Sequence, residues 1–214
     1  MSFFEIKAII FDYGNVLCEP QPAEDVLAMA ALVDMTPDKF TELYWQDRVP
    51  YDRDDMKPDE YWIRLAGRQL DAAMVSRLTE LDNKSWTHPR EKMIPYVNAA
   101  RQKGLRTALL SNLPVPLRDA LENDCAWLPR FDVRTYSCTV RATKPDRAIY
   151  DACVQGLGVI PPEIVFLDDR PENIEAAAKL GIHGLLFESP ERALLDLSRQ
   201  YGLTFNQDGR RARR

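Results

Sequence analysis

Four short stretches hold residue types from which a catalytic site could be built. Lys7-Ala8-Ile9-Ile10-Phe11-Asp12 is an apolar run closed by a carboxylate, and Leu110-Ser111-Asn112 ends in a hydroxyl and an amide. Lys144 precedes Pro145, and Ile164-Val165-Phe166-Leu167-Asp168-Asp169 ends in paired acids. Each has an ordinary reading. A single Asp after a strand commonly serves a turn or a helix cap, and Ser111-Asn112 ahead of Pro114 suits a turn. Asp168-Asp169 before Pro171 could cap the helix that follows, and Lys144 alone reads as a solvated loop lysine. Those readings require no particular order or spacing. If the runs are parallel strands, however, three carboxylates, a hydroxyl and an amide arrive at one edge of the sheet, where such folds place ligands.

The elements needed to position these groups can be read from the apolar pattern. Short apolar runs mark strands at 7–12, 106–112, 164–169 and 184–187, with a weaker one at 132–137. Between them, helical spacing over 90–103, 146–155 and 172–180 stops at Gly104, Gly156 and Gly181. Strand and helix alternate, so the fold class is α/β, a mostly parallel sheet with helices on both faces. Residues 20–86 break the alternation with four helical segments, 26–33, 40–46, 61–70 and 74–81, punctuated by Thr36-Pro37, Val49-Pro50 and Lys57-Pro58. The expected organisation is a core of 1–19 and 87–214 with an all-helical insertion at 20–86.

In order along the chain, Phe11-Asp12-Tyr13-Gly14-Asn15-Val16-Leu17, Leu110-Ser111-Asn112, Lys144-Pro145-Asp146 and Phe166-Leu167-Asp168-Asp169-Arg170-Pro171-Glu172-Asn173 resemble the four motifs of the haloacid dehalogenase superfamily. The resemblance covers Lys7 to about Glu188 and implies a Rossmann-like core with a helical cap. It implies Asp12 as nucleophile, Ser111 as a donor to phosphoryl oxygens, Lys144 offsetting charge, and Mg²⁺ anchored by Asp12, Asp168 and Asp169, with the Gly14 carbonyl as a further ligand. Asn15 and Asn112 would help bind substrate, as would Arg64 from the cap. The chemistry is coherent: an ionised aspartate can attack phosphorus, Mg²⁺ prefers oxygen ligands, and phosphoryl transfer asks mainly for positioning and charge stabilisation.

Phosphatases of the superfamily that this chain resembles usually carry a second Asp two residues after the nucleophile, which protonates the leaving group and then activates water. Gly14 stands there. General acid and base assistance is worth typically ~10²–10⁴-fold. The chain could act on substrates with good leaving groups, such as a sugar 1-phosphate, or recruit a base from the cap or a bound water. Alternatively, it could bind a phosphorylated ligand with little turnover. The dehalogenase branch places an aromatic residue at the Gly14 position, and Tyr13 sits one residue too early for it. The expectation is therefore a Mg²⁺-dependent phosphohydrolase of a small phosphorylated metabolite acting through an aspartyl-phosphate, with transfer to another hydroxyl sharing the chemistry and a low-turnover binding module as the alternative.

Composition narrows the classes further. Apolar residues make up 45% of the 214, charged residues 29%, and no apolar run approaches the ~18 residues that cross a bilayer. A formal charge of −5 disfavours nucleic acid and anionic membrane as partners. The basic run Gly209-Arg210-Arg211-Ala212-Arg213-Arg214 reads as a solvated terminus. Met1 to Lys7 lacks the pattern of a secretory signal, so a cytoplasmic location is expected. Cys18, Cys125, Cys138 and Cys153 form no CxxC pair and read as reduced packing residues. His88 and His183 read as structural or hinge residues, and no histidine accompanies a serine motif as triad chemistry would need. Tyr44, Trp45, Tyr51, Tyr61 and Trp62 are expected mostly inside the cap.

Overall fold

All four residues of β1 (Ala8–Phe11) are apolar and fully buried, so this strand must be flanked on both edges and covered on both faces. A computed structural model, which describes residues 5–205, shows how this is done. The arginine-rich tail lies outside the described residues. After β1 come α1 (Ala23–Leu32), α2 (Pro37–Gln46), α3 (Arg48–Asp52), α4 (Pro58–Ala66), α5 (Ala72–Ser85) and α6 (Ile94–Gln102). There follow β2 (Arg106–Ser111), α7 (Val115–Asp124), β3 (Val133–Tyr136), α8 (Ser137–Val140), α9 (Arg147–Leu157), β4 (Ile164–Asp168), α10 (Pro171–Lys179), β5 (His183–Leu186) and α11 (Pro190–Tyr201).

The five strands pair in parallel in the order β3-β2-β1-β4-β5. The chain winds from β1 to one side and then returns to the other, so the reversal falls between β1 and β4, where the carboxyl ends leave a crevice. Alternate side chains of β1 serve opposite cores. Ile9 and Phe11 pack with Leu109, Val165 and Leu167 beneath α6, α7 and α11, through Val97, Leu117 and Leu197. Ala8 and Ile10 pack with Ala108, Leu110 and Phe166 beneath α9 and α10, through Ile149, Cys153 and Ala177. Each fully buried aliphatic side chain of this kind contributes about 1.5–3 kcal/mol.

Buried apolar residues of α1 to α5 form a third cluster of their own, including Met29, Phe40, Tyr44, Tyr61, Trp62 and Leu78. Tyr51 stacks on Tyr61 with ring centres 4.2 Å apart. The chain leaves for this helical body and returns from it side by side, with Glu19 N donating to the His88 carbonyl (2.7 Å) and Arg90 N to the Leu17 carbonyl (2.8 Å). Four aromatics of the insertion, Tyr44, Tyr51, Tyr61 and Trp62, are buried as expected, while Trp45 is half exposed.

Three expectations need correction. The helix over 146–155 does not stop at Gly156: α9 runs on to Leu157 and is closed by Gly158 at φ 64°. Gly156 is small because a Cβ there would lie 2.9 Å from Val133 Cγ1, so it lets α9 approach β3. Val49-Pro50 is not a break but part of the short helix α3, where proline in a first turn removes no helical hydrogen bond. The helix assigned to 90–103 begins only at Ile94, after a turn in which Met93 N bonds the Arg90 carbonyl (2.7 Å). The cysteines are free, three of them buried and Cys125 partly so. Among the described residues no helix is long and apolar enough to cross a membrane.

Candidate active site

Strand register brings the acids together. Phe11 of β1 lies opposite Leu167 of β4, so the next residues, Asp12 and Asp168, leave the sheet side by side, and Asp12 N donates to the Leu167 carbonyl (2.9 Å). Lys144, from the loop after α8, places its ammonium between them: Nζ lies 2.6 Å from Asp12 Oδ1 and 2.7 Å from Asp168 Oδ2. All three are nearly sealed from solvent. Asp12, Asp168 and Asp169 each present an oxygen within 4.8 Å of the others.

The remaining bonds hold these groups still. Asp12 Oδ1 also accepts from Tyr13 N (2.7 Å). Asp168 Oδ1 accepts from Arg170 N and from Asn173 Nδ2, each at 2.9 Å. Asn15, at φ 59°, turns its amide back to donate to Asp169 Oδ2 (2.8 Å). Asn112 grips the Lys144 backbone from both sides, donating to its carbonyl (3.0 Å) and accepting from its N–H (2.8 Å). Ser111, at the end of β2, lines the same cavity, and its hydroxyl has no hydrogen-bond partner among the described residues.

These bonds add positioning to the expected roles. Asn15 and Asn112 hold Asp169 and Lys144 in place, and both also line the cavity. Arg64 does not reach the cavity: it sits exposed on α4, with Nη1 3.4 Å from Asp47 Oδ1, because its helix turns Tyr61, Trp62 and Leu65 inward instead. Asn173, unassigned from sequence, is a buried positioning residue; an amide so close after paired acids was the available signal. Sequence reasoning also missed Arg48, Val49 and Asp52 of α3, which face the site together with Trp45 and Trp86 across a cavity of about 500 Å³. Nothing in their spacing marks them, because a five-residue helix carries too little periodicity. Of the histidines, His88 meets Asp25 (3.3 Å) and His183 the Pro162 carbonyl (3.0 Å), neither at the site.

At the acid cluster itself positive charge is short: Asp12, Asp168 and Asp169 surround the one ammonium of Lys144. Burial pushes the Asp12 carboxyl up to about 8 despite Lys144, and Asp168 and Asp169 add to the rise. Burial works against the Lys144 ammonium as well, but Asp12 and Asp168 outweigh it and hold its pKa above the ordinary lysine value. A site of hard oxygen ligands with surplus negative charge fits a divalent cation such as Mg²⁺. Gly14 lines the cavity without crowding, since a Cβ there would meet only Trp86 Cζ3 at 3.6 Å.

Residues 6–181 match the family described as haloacid dehalogenase-like hydrolase. The chain belongs to that family. A mouse protein named acyl-CoA dehydrogenase family member 10 is 37% identical over 92% of this chain, which spans only 19% of the mouse protein's length. A phosphatase of Mycobacterium tuberculosis is 29% identical, with 86% of this chain and 88% of that protein aligned. A haloacid dehalogenase family enzyme from Bacteroides thetaiotaomicron superposes with a TM-score of 0.71 at 18% identity, covering 86% of this chain and 94% of that one. The same enzyme has been solved with magnesium and inorganic phosphate. This membership accounts for the haloacid dehalogenase-like core of five parallel strands.

Proposed function

We propose that this hydrolase cleaves phosphate monoesters of small molecules through an aspartyl-phosphate on Asp12, with Mg²⁺ as cofactor and with residues 20–86 acting as a substrate-selecting cap over the 1–19 and 87–214 core. The observation that carries this reading is the Lys144 ammonium wedged between Asp12 and Asp168, with Asp169 beside them and the unpartnered Ser111 hydroxyl facing the same space. The likeness to the Mycobacterium tuberculosis phosphatase and the Bacteroides enzyme's magnesium and phosphate support it.

Asp12 Oδ1 is fixed by Lys144 and Tyr13 N, which leaves Oδ2 without a partner among the described residues and available to attack phosphorus. Lys144 stabilises charge on the reacting phosphoryl group, and Ser111 donates to one of its oxygens. Asn112 keeps Lys144 in register, while Asn15 and Asn173 orient the two acids of the fourth motif. When bound by Asp12, Asp168, Asp169 and the Gly14 carbonyl, Mg²⁺ would supply the charge that lets a phosphate dianion approach a carboxylate.

The test is turnover of p-nitrophenyl phosphate by wild type and Asp12→Asn, with Mg²⁺ and with chelator. The expected result is Mg²⁺-dependent hydrolysis that Asp12→Asn lowers by at least about 10³-fold, the scale of losing a nucleophile. Hydrolysis that persists in Asp12→Asn would overturn the mechanism. Gly14 favours a second reading, a phosphate-binding module of low turnover, which requires wild type to bind phosphate while leaving the ester intact.

A further inference from the structure

Hydrolysis of an ordinary ester places a negative charge on the departing oxygen, and in a buried site that charge needs a proton at once. The groups already described cannot supply it. Asp12, Asp168 and Asp169 are committed to attack and to the cation, and Lys144 is held by two carboxylates. The Tyr13 hydroxyl donates to the Trp86 carbonyl (2.5 Å), and burial drives its pKa far above the ordinary tyrosine value. Among the described residues lining the cavity, the remaining carboxyl is Asp52, on α3 in the helical body.

We infer that Asp52 is the proton-transfer residue of the reaction, donating to the leaving oxygen and then taking a proton from the attacking water. This rests on the reading of Asp12 as a phosphohydrolase nucleophile. Three observations support it. Ser137 Oγ donates to the Asp52 carbonyl (2.6 Å) and accepts from Leu113 N (2.9 Å), so one hydroxyl ties α3 to the loop that follows Ser111. Arg48 shares its guanidinium between two acids, Nε with Asp52 Oδ1 (2.8 Å) and Nη1 with Asp82 Oδ2 (3.0 Å). Asp82 also receives the Tyr44 hydroxyl on Oδ1 (2.5 Å), whereas Asp52 Oδ2 has no partner among the described residues.

One cation between two buried acids leaves a surplus charge, and Asp52, with a single side-chain donor, is the acid better placed to carry a proton. Burial accordingly pushes its pKa to about 6, against the pull of Arg48 and with Asp82 adding to the rise, so both of its forms are accessible near neutrality. In the first step Asp12 Oδ2 bonds to phosphorus, the P–O bond to the alcohol breaks, and its electron pair takes the Asp52 proton. In the second, a water gives a proton to the Asp52 carboxylate as its oxygen bonds to phosphorus. The bond from phosphorus to Asp12 then breaks, leaving Asp12 ionised, Asp52 protonated and inorganic phosphate free.

The experiment compares two aryl esters of similar size. p-Nitrophenolate leaves without a proton, and phenolate needs one more. With p-nitrophenyl phosphate, Asp52→Asn should release a burst of p-nitrophenolate stoichiometric with enzyme. Steady turnover should then fall ~10²–10⁴-fold below wild type, because the acylphosphate forms but no base activates water. With phenyl phosphate the burst itself should vanish. Asparagine keeps the acceptor for Arg48, and the burst amplitude counts folded enzyme, so the readout does not depend on how much of the variant folds. Asp52→Glu should regain part of the steady rate. Equal losses on both esters without a burst, or no loss, would overturn the assignment of Asp52 alone, as would a wild type that cleaves only the nitrophenyl ester. A wild type inactive on both esters with Mg²⁺ would overturn the underlying reading as well.

Discussion

Lys144 shows how much one side chain can carry. Its ammonium lies within 2.7 Å of two carboxylates that are themselves almost without solvent. Replacing such a pair entirely by apolar groups can be neutral, but removing one partner strands the others and costs about 3–5 kcal/mol. Lys144→Ala should therefore lower the unfolding free energy read from chemical denaturation by that order and abolish turnover of p-nitrophenyl phosphate. Added Mg²⁺ should recover part of the stability but not the activity, because a cation at the acids does not replace the donor aimed at phosphate. An activity loss without a stability loss would show that Asp12 and Asp168 do not depend on Lys144 for folding. At this scale the acids, Ser111 and Lys144 were legible because their order along the chain matched a family pattern. Arg64 was misread, since a helical arginine carries no sign of which way its face will turn.

Among the elements, the sheet and its helices act as a jig for the acids. Gly184 in β5 faces Ile174 of α10, and a Cβ there would lie 2.4 Å from Ile174 Cγ2 and 3.2 Å from the Ile174 backbone oxygen. Ile174 follows Asn173, whose amide holds Asp168. Gly184→Ala should cost about 1–3 kcal/mol, as overpacking does, and weaken Mg²⁺ binding by moving α10 off the sheet. Gly156→Ala, whose nearest contacts are with the side chain of Val133 and not with backbone, should cost less and leave Mg²⁺ binding unchanged. Thermal melts with Mg²⁺ titrations of both variants check the contrast; equal effects on Mg²⁺ would separate α10 from the site. The strands were readable from short apolar runs closed by polar residues. Less readable were α3, too short to show a period, and the far end of α9, where two glycines compete to end the helix.

For the molecule as a whole, the site stores instability that binding relieves. Asp12 has a folded pKa of about 8 against an ordinary 3.8. A carboxyl raised on folding contributes stability that is complete below the ordinary value and is lost as pH rises through the folded one. Without metal, the melting temperature should fall from about pH 4 to about pH 8, with Asp52, raised to about 6, contributing in the lower part of that window. Asp12→Asn should flatten the upper part, and Mg²⁺ at a hundredfold excess over its Kd should add about 2.7 kcal/mol at pH 8. A chelated wild type whose stability is level across this range would contradict the burial of an unneutralised Asp12.

By itself the chain's sequence determined the alternation of strands and helices, the place of the helical insertion and the acids that end β1 and β4. All of these are local properties, carried by neighbouring residues or by the order of short motifs. Only the tertiary structure decided that Asn15, Asn112 and Asn173 position other side chains, that Arg64 faces away, and that Arg48 and Asp52 complete the cavity. Those outcomes depend on distances between residues dozens of positions apart, set by parallel register and by how the helical body packs over the sheet edge. No local pattern records them.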